Sequence, residues 1–308
     1  MKLLITGGSG LVGMALKKII NINYETIFLN SKDCDLTNYE QTLKVFQKEK
    51  PDYVIHLAAC VGGLFKNMNQ KVYMLEQNLQ INYNVLKCSY LVNVKKCISC
   101  LSTCIFPDKT SYPINEKMLH DGSPHYSNDS YAYAKRMLEI HSKAYQEQYD
   151  KDFICVIPTN IYGSYDNYNL EDAHVIPALI HKCYLAKQSN KPFVIKGSGL
   201  PLRQFIYSED LAELLLWVLE NYKEKETIIL SVNENDEVRI RDVALLIAKE
   251  FQYNNIRFDT TYSDGQYKKT ADNSKLIKLI GNYNFTPIHI GIQKSVEWFK
   301  NNYFICRK

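Results

Sequence analysis

The strongest constraint on this chain lies within its first thirteen residues. A short apolar run, Lys2-Leu3-Leu4-Ile5-Thr6, leads straight into Gly7-Gly8-Ser9-Gly10-Leu11-Val12-Gly13, and a helical pattern covers residues 10–20. Between a strand and a helix, glycines at 7, 10 and 13 have separate tasks. The first makes the tight turn, the second lets the backbone approach a pyrophosphate, and the third lets the helix pack on the strand. The helix N-terminus then faces an anion. The segment predicts dinucleotide binding through Gly7, Gly8, Ser9, Gly10, Leu11, Val12 and Gly13.

The same alternation continues down the chain. Strands are expected over residues 26–29, 53–58, 96–102 and 153–158, with helices over 39–48, 74–91 and 130–149. Such alternation builds a parallel sheet with helices on both faces, and nearly all-apolar strands suit a sheet buried on both sides. Residues 160–173 are rich in Tyr, Asn, Asp and Gly and read as a loop. Helices follow over 175–186, over 208–221 with Ser208 as its cap, and over 240–251 and 292–303; short strands are expected at 193–196 and 227–232. The predicted fold is α/β: a Rossmann-like doubly wound parallel sheet with a smaller α/β substrate-binding C-terminal lobe. The dinucleotide domain is assigned to residues 1–162 and 205–232, the smaller lobe to 163–204 and 233–308, with the ligand cleft between them.

Composition narrows the class of partner. Of 308 residues, 46% are hydrophobic and 23% charged, enough to bury a large core, and a net charge of +4 is too small to argue for nucleic acid. No stretch reads as a leader or a membrane span, so a cytoplasmic location is expected. The nine cysteines are odd in number, which argues against a disulfide framework. Cys97 and Cys100 form a CxxC inside a strand, where alternation sends them to opposite faces, so no metal site is expected.

The tip of the second strand bears on cofactor choice. It reads Leu29-Asn30-Ser31-Lys32. A hydroxyl and a cation at Ser31 and Lys32 suit a 2′-phosphate and favour NADP(H); Asp33 and Asp35 just beyond keep NAD open. Leu57, Ala58 and Ala59 end the third strand with side chains small enough for a dinucleotide to lie close.

A Tyr and a Lys stand four apart in Tyr131-Ala132-Tyr133-Ala134-Lys135, on one face of a helix. A nearby ammonium is expected to lower the phenol pKa and fit Tyr131 to move a proton at a carbonyl. Tyr83 and Lys87 repeat the spacing, but the preceding strand end has no hydroxyl, so that pair reads as structural. Leu101-Ser102-Thr103 precedes the Tyr131 copy. Ser102, Tyr131 and Lys135 are the expected reductase triad.

These motifs resemble those of the extended short-chain dehydrogenase/reductases. Longer strings are similar to one family among them, the GDP-L-fucose synthases: Val61-Gly62-Gly63, Ser102-Thr103-Cys104-Ile105-Phe106-Pro107, Pro158-Thr159-Asn160, His174-Val175-Ile176-Pro177 and Arg203-Gln204-Phe205-Ile206-Tyr207. The resemblance implies a bifunctional enzyme. It would epimerise C3 and C5 of GDP-4-keto-6-deoxy-D-mannose and then reduce C4 with NADPH, giving GDP-L-fucose. It implies Cys104 as a thiolate base where a cation lies near, and His174 as the acid that returns the proton. It adds Pro158, Asn160, Ile161 and His174 to the cofactor wall. Lys182, Lys196, Arg203, Asp264 and Lys269 become substrate-binding candidates, Arg203 at a diphosphate. Two departures stand out: Lys196 replaces a Trp before the Gly-x-Gly, and Ser9 replaces an Arg carried by some bacterial members. A homodimer through the helices at 74–91 and 130–149 is also implied.

Two other readings stay open on the residues alone. One is an NAD-dependent nucleotide-sugar 4-epimerase or 4,6-dehydratase, disfavoured by Cys104-Ile105 where dehydratases resemble one another in carrying an acid pair. The other is a non-catalytic dinucleotide-binding protein, since fold does not fix function.

Overall fold

A computed structural model describes residues 1–20, 23–264 and 266–308 of the chain. The first apolar run forms β1 (Lys2–Thr6), and alternation divides its buried residues between two cores. Leu4 joins one side with Val85 and Leu86, while Leu3 and Ile5 join the other with Leu16 and Leu215. Both faces of the strand therefore lie under helices, which explains the apolar run Leu3-Leu4-Ile5.

The chain then runs α1 (Leu11–Ile19), β2 (Glu25–Leu29), α2 (Tyr39–Glu49), β3 (Tyr53–His56), α3 (Leu64–Asn69), α4 (Lys71–Leu91) and β4 (Lys96–Cys100). After a long loop come α5 (Asp129–Tyr149), β5 (Asp152–Pro158), β6 (Asn160–Tyr162), α6 (Val175–Ser189), β7 (Phe193–Lys196), β8 (Leu202–Arg203), β9 (Phe205–Tyr207) and α7 (Ser208–Asn221). The remainder is β10 (Ile228–Leu230), β11 (Val238–Arg239), α8 (Ile240–Glu250), β12 (Ile256–Asp259), α9 (Ser274–Ile280) and α10 (Ile288–Asn302).

Six strands pair in parallel in the order β10-β5-β4-β3-β1-β2. Helices α2, α4 and α5 cover one face, and α1 and α7 the other. Buried Lys96 fixes β4 to the end of α7 by donating to the carbonyls of Val218 (2.8 Å) and Tyr222 (2.6 Å), where a helix C-terminus favours a cation. A third core joins α6, α8 and α10 around Phe193, Ile247 and Phe299. It carries three two-stranded pairings, β6 with β9, β7 with β12 and β8 with β11.

Cys97 packs in the first core and Cys100 in the second, as strand alternation requires; among the described residues no cluster of His, Cys, Asp or Glu has metal-binding geometry. No described helix is long and apolar enough to cross a membrane. Three expectations need correcting. Residues 160–162 are strand, not loop: Asn160 Nδ2 donates to Gln204 O (2.8 Å) and aligns β6 with β9. Ser208 is buried as the first residue of α7, and Tyr207 holds the cap position with no side-chain bond. The fourth strand stops at Cys100 because Ser102 begins a 3₁₀ turn over Thr103–Ile105, its Oγ accepting from Cys104 N (3.4 Å).

The turn after β1 leaves no room for a side chain at Gly13: a Cβ there would lie 2.6 Å from Gly7 O and 2.7 Å from the Gly8 backbone. Gly13→Ala is expected to lower unfolding free energy by about 1–3 kcal/mol through overpacking, measured by urea denaturation. Wild-type stability in that variant would contradict the packing described.

Candidate active site

The carboxyl ends of the parallel strands open into a cleft of about 800 Å³, within the range of cofactor sites. Gly7 turns the chain with φ of +70°, and a Cβ on it would press to 2.9 Å from Ala58 N. The turn is thus locked against the end of β3. Helix α1 is preceded by Gly10, which offers no side-chain cap, and has no acid in its first turn, so its free N–H groups favour an anion. Gly7, Ser9, Gly10, Leu11, Val12 and Gly13 all line the cleft. Gly8 does not; it packs against Phe28.

Ser31, Leu57, Ala58, Ala59, Pro158, Asn160 and Ile161 line the cleft. Lys32 does not, because its amide donates to Asn30 Oδ1 (2.8 Å) in a turn that leaves the side chain in solvent. The neighbouring acids are held within the same loop. Asp33 Oδ2 accepts from Asn30 N (3.0 Å), and Asp35 Oδ1 from Thr37 N and Oγ1 at 2.9 and 2.7 Å.

Ser102, Tyr131, Lys135 and His174 face the same cleft. Lys135 is almost wholly buried, and its Nζ donates to Cys100 O (2.7 Å) at the end of β4. Burial holds its pKa below the usual lysine value. The ammonium lies 5.9 Å from the Tyr131 ring centroid. The phenol pKa is nevertheless well above its ordinary value, because burial dominates and Cys104 and Cys100 add to it. The expected lowering by ammonium is therefore corrected: Tyr131 is held protonated, the form that donates to a carbonyl oxygen. His174 stands at the head of α6, open to the cleft, yet crowded enough that desolvation lowers its pKa. The second Tyr/Lys pair is elsewhere: Tyr83 is exposed and stacks on His141 at 5.7 Å.

A buried chain of hydrogen bonds joins the cofactor loop to α5. Ala58 N donates to Thr6 Oγ1 (3.2 Å), which donates to His56 Nδ1 (2.8 Å); His56 Nε2 donates to Asn82 Oδ1 (3.0 Å), and Asn82 Nδ2 meets Ala134 O (3.4 Å). This order is the one in which every donor finds an acceptor. Burial first, then Lys135, pushes the His56 pKa down to about 3, so the ring stays neutral.

Cys104 points elsewhere, into a second cavity of about 460 Å³ that also holds His125, Asn128 and Lys269. Burial depresses the Lys269 pKa, a charge on Cys104 raises it, and Arg203 lowers it. A cation therefore accompanies the thiol, whereas His174 belongs to the larger cleft. Arg203 is turned onto backbone, its guanidinium donating to Leu202 O (2.6 Å) and Gln266 O (2.7 Å). It thereby steadies the segment that carries Lys269. The other substrate candidates line neither cavity. Asp264 accepts from Ser198 N and Oγ, both at 2.6 Å, and closes the 197–199 turn; Gly265 beside it is outside the described residues. Lys182 lies near Lys196, whose charge helps lower its pKa after burial, and Lys196 Nζ sits 4.5 Å over the Tyr262 ring. Asp166, Asn167, Gln77 and Arg307 line the cleft without having been expected there. For Asp166 the usable signal was its loop, which follows a strand end at the ligand edge. Arg307 carries none.

Residues 3–232 match the NAD dependent epimerase/dehydratase family. The chain is 54% identical to a GDP-L-fucose synthase of Dictyostelium discoideum over 99% of its own length and 97% of the relative's. It is 50% identical to a probable GDP-L-fucose synthase of Drosophila melanogaster, covering 100% and 99%. Among solved structures, a GDP-L-fucose synthetase from Naegleria fowleri bound to NADP superposes with a TM-score of 0.96 at 49% identity, covering 100% of this chain and 95% of that one.

The neutral His56 has a consequence for stability. As pH falls through about 6.5 the unfolded chain takes up a proton at this residue and the folded protein does not, so stability present above that pH is lost toward about 3. At pH 5 the loss from this group is about 2 kcal/mol. His56→Gln is expected to flatten the pH 5 to 7.5 dependence of urea unfolding by that amount. An unchanged slope would show that the ring does not stay neutral.

Proposed function

The chain belongs to the GDP-L-fucose synthases within the NAD dependent epimerase/dehydratase family, and from that premise we propose that it converts GDP-4-keto-6-deoxy-D-mannose to GDP-L-fucose by 3,5-epimerisation and NADPH-dependent 4-reduction. One observation carries this reading: Ser102 and Tyr131 line the cofactor cleft, while Cys104, two residues beyond Ser102, lines a second cavity together with Lys269. Groups for reduction and for proton abstraction thus flank one 3₁₀ turn.

The glycine turn, the open start of α1 and the wall from Leu57 to Ala59 fit a dinucleotide, with Ser31 at its 2′-phosphate. NADPH, when bound, supplies the hydride that reduces C4. The protein's residues supply the rest. Carbons 3 and 5 flank the C4 ketone, so their protons are acidic enough for a side-chain base. Cys104, with Lys269 in the same cavity, is that base. Ser102 Oγ and Tyr131 hold the carbonyl oxygen as negative charge builds on it. His174 returns a proton from the cleft side. Tyr131 gives its own proton to the C4 oxygen in the reduction. Lys135, bonded to Cys100 O, fixes the helix that presents it.

A homodimer through α4 and α5 is part of the proposal, supported by apolar side chains exposed on those helices, among them Val72, Tyr73, Met137 and Ile140. A cytoplasmic location agrees with its use of soluble nucleotides.

With GDP-4-keto-6-deoxy-D-mannose, the purified protein is expected to consume one NADPH per GDP-L-fucose formed, and to sediment as a dimer. Tyr131→Phe should lower kcat by about 10²–10⁴ while NADPH affinity stays within threefold of the wild-type value. Sugar conversion with no net NADPH loss would instead indicate a 4-epimerase or dehydratase that recycles a bound cofactor.

A further inference from the structure

Asp166 is the cleft residue whose position the fold itself does not explain. It stands in the loop between β6 and α6, only 5% exposed, in the wall of the larger cleft. Its Oδ1 accepts from Asn167 N (2.7 Å), but Oδ2 is fully shielded and has no hydrogen-bond partner. A carboxyl oxygen desolvated without a donor is a net loss to the folded state. Burial pushes its pKa up to about 7, against the pull of Asn167 N–H and Arg307.

Arg307, from the segment after α10, lines the same cleft. Its guanidinium donates to Tyr165 O (2.7 Å), and its carbonyl accepts from Tyr168 N (2.7 Å). The loop is therefore tied to this segment on both sides of Asp166. Position indicates which end of a ligand the loop meets. It follows β5 and β6, and β5 adjoins β4, the strand leading to Ser102, whereas β2 and Ser31 are four strands away, or about 19 Å at the usual spacing. Asp166 therefore stands at the reacting end. Anionic groups would be repelled there by an ionised carboxyl, whereas a hydroxyl donor would complete it.

We propose that the Asp166 carboxyl, its shielded Oδ2 brought to the cleft by rotation about χ2, is the acceptor for a ligand hydroxyl at the reacting end of the cleft, and that Arg307 is a positioning residue holding the loop that presents it. This rests on the dinucleotide reading of the cleft. The hydroxyl belongs either to the nicotinamide-side ribose or to the hexose of the nucleotide sugar, and binding measurements separate the two.

The test compares wild type, Asp166→Asn and Arg307→Gln. It measures NADPH Kd without sugar, sugar KM at saturating NADPH, and the thermal midpoint of the free protein. In Asp166→Asn an amide donor replaces Oδ2. One of the two ligand constants should rise about tenfold, NADPH Kd if the hydroxyl is ribose and sugar KM if it is hexose. The free protein's midpoint should stay level or rise, because a buried unpaired acid has gone. Arg307→Gln should move the same constant by a smaller factor. If both constants in Asp166→Asn stay within twofold of wild type, or if the midpoint falls in step with the lost affinity, the inference is overturned. A wild-type protein that fails to bind NADPH would instead overturn the reading of the cleft, and this inference with it.

Discussion

The site depends on how α5 is seated on the carboxyl edge of the sheet. Lys135 reaches Cys100 O from an almost fully buried position, and a desolvated ammonium is tolerated only where its geometry is fixed. One turn earlier on the same helix, Tyr131 is placed by that contact. The chain from Ala58 through Thr6, His56 and Asn82 to Ala134 fastens the helix a second time, from beneath. A neutral His56 suits this role, since a charged ring beside Lys135 would add repulsion in a dry interior. The glycine turn and α5 are therefore held in one register.

Around that helix the chain makes two spaces with different chemistry. The larger has a glycine turn, open helix amides and small walls, and it takes phosphates and a flat ring. The smaller holds a thiol and an amine. The division comes from the 3₁₀ turn over Thr103–Ile105, which leaves Ser102 facing one space and turns Cys104 into the other. The α6, α8 and α10 core contributes indirectly. Its β8 carries Arg203, which holds the Gln266 backbone and so the approach to Lys269.

What was legible in the sequence was local. The Gly7 to Gly13 spacing, the four-residue step from Tyr131 to Lys135 and the strand alternation that parts Cys97 from Cys100 are each fixed within one turn or one strand. The sheet followed because its strands are apolar at their centres. Roles set by long-range partners were not legible. Lys32 depends on which way the Asn30 turn faces, Asp264 is taken up by Ser198, and Arg203 by Gln266. The Tyr131 phenol moved opposite to expectation because burial outweighs one neighbouring charge, and burial is a property of the whole fold. Asp166 and Arg307 meet only because α10 returns the chain to the β6 loop.

The central claim is that Cys104 abstracts the sugar protons in a step that does not depend on hydride transfer. It is tested most directly by incubating the protein with GDP-4-keto-6-deoxy-D-mannose in D₂O without NADPH and reading deuterium at each carbon by NMR. The account predicts deuterium at carbons 3 and 5 of the sugar, and its loss in Cys104→Ser. No uptake until NADPH is added, or full uptake in the Cys104→Ser variant, would contradict it.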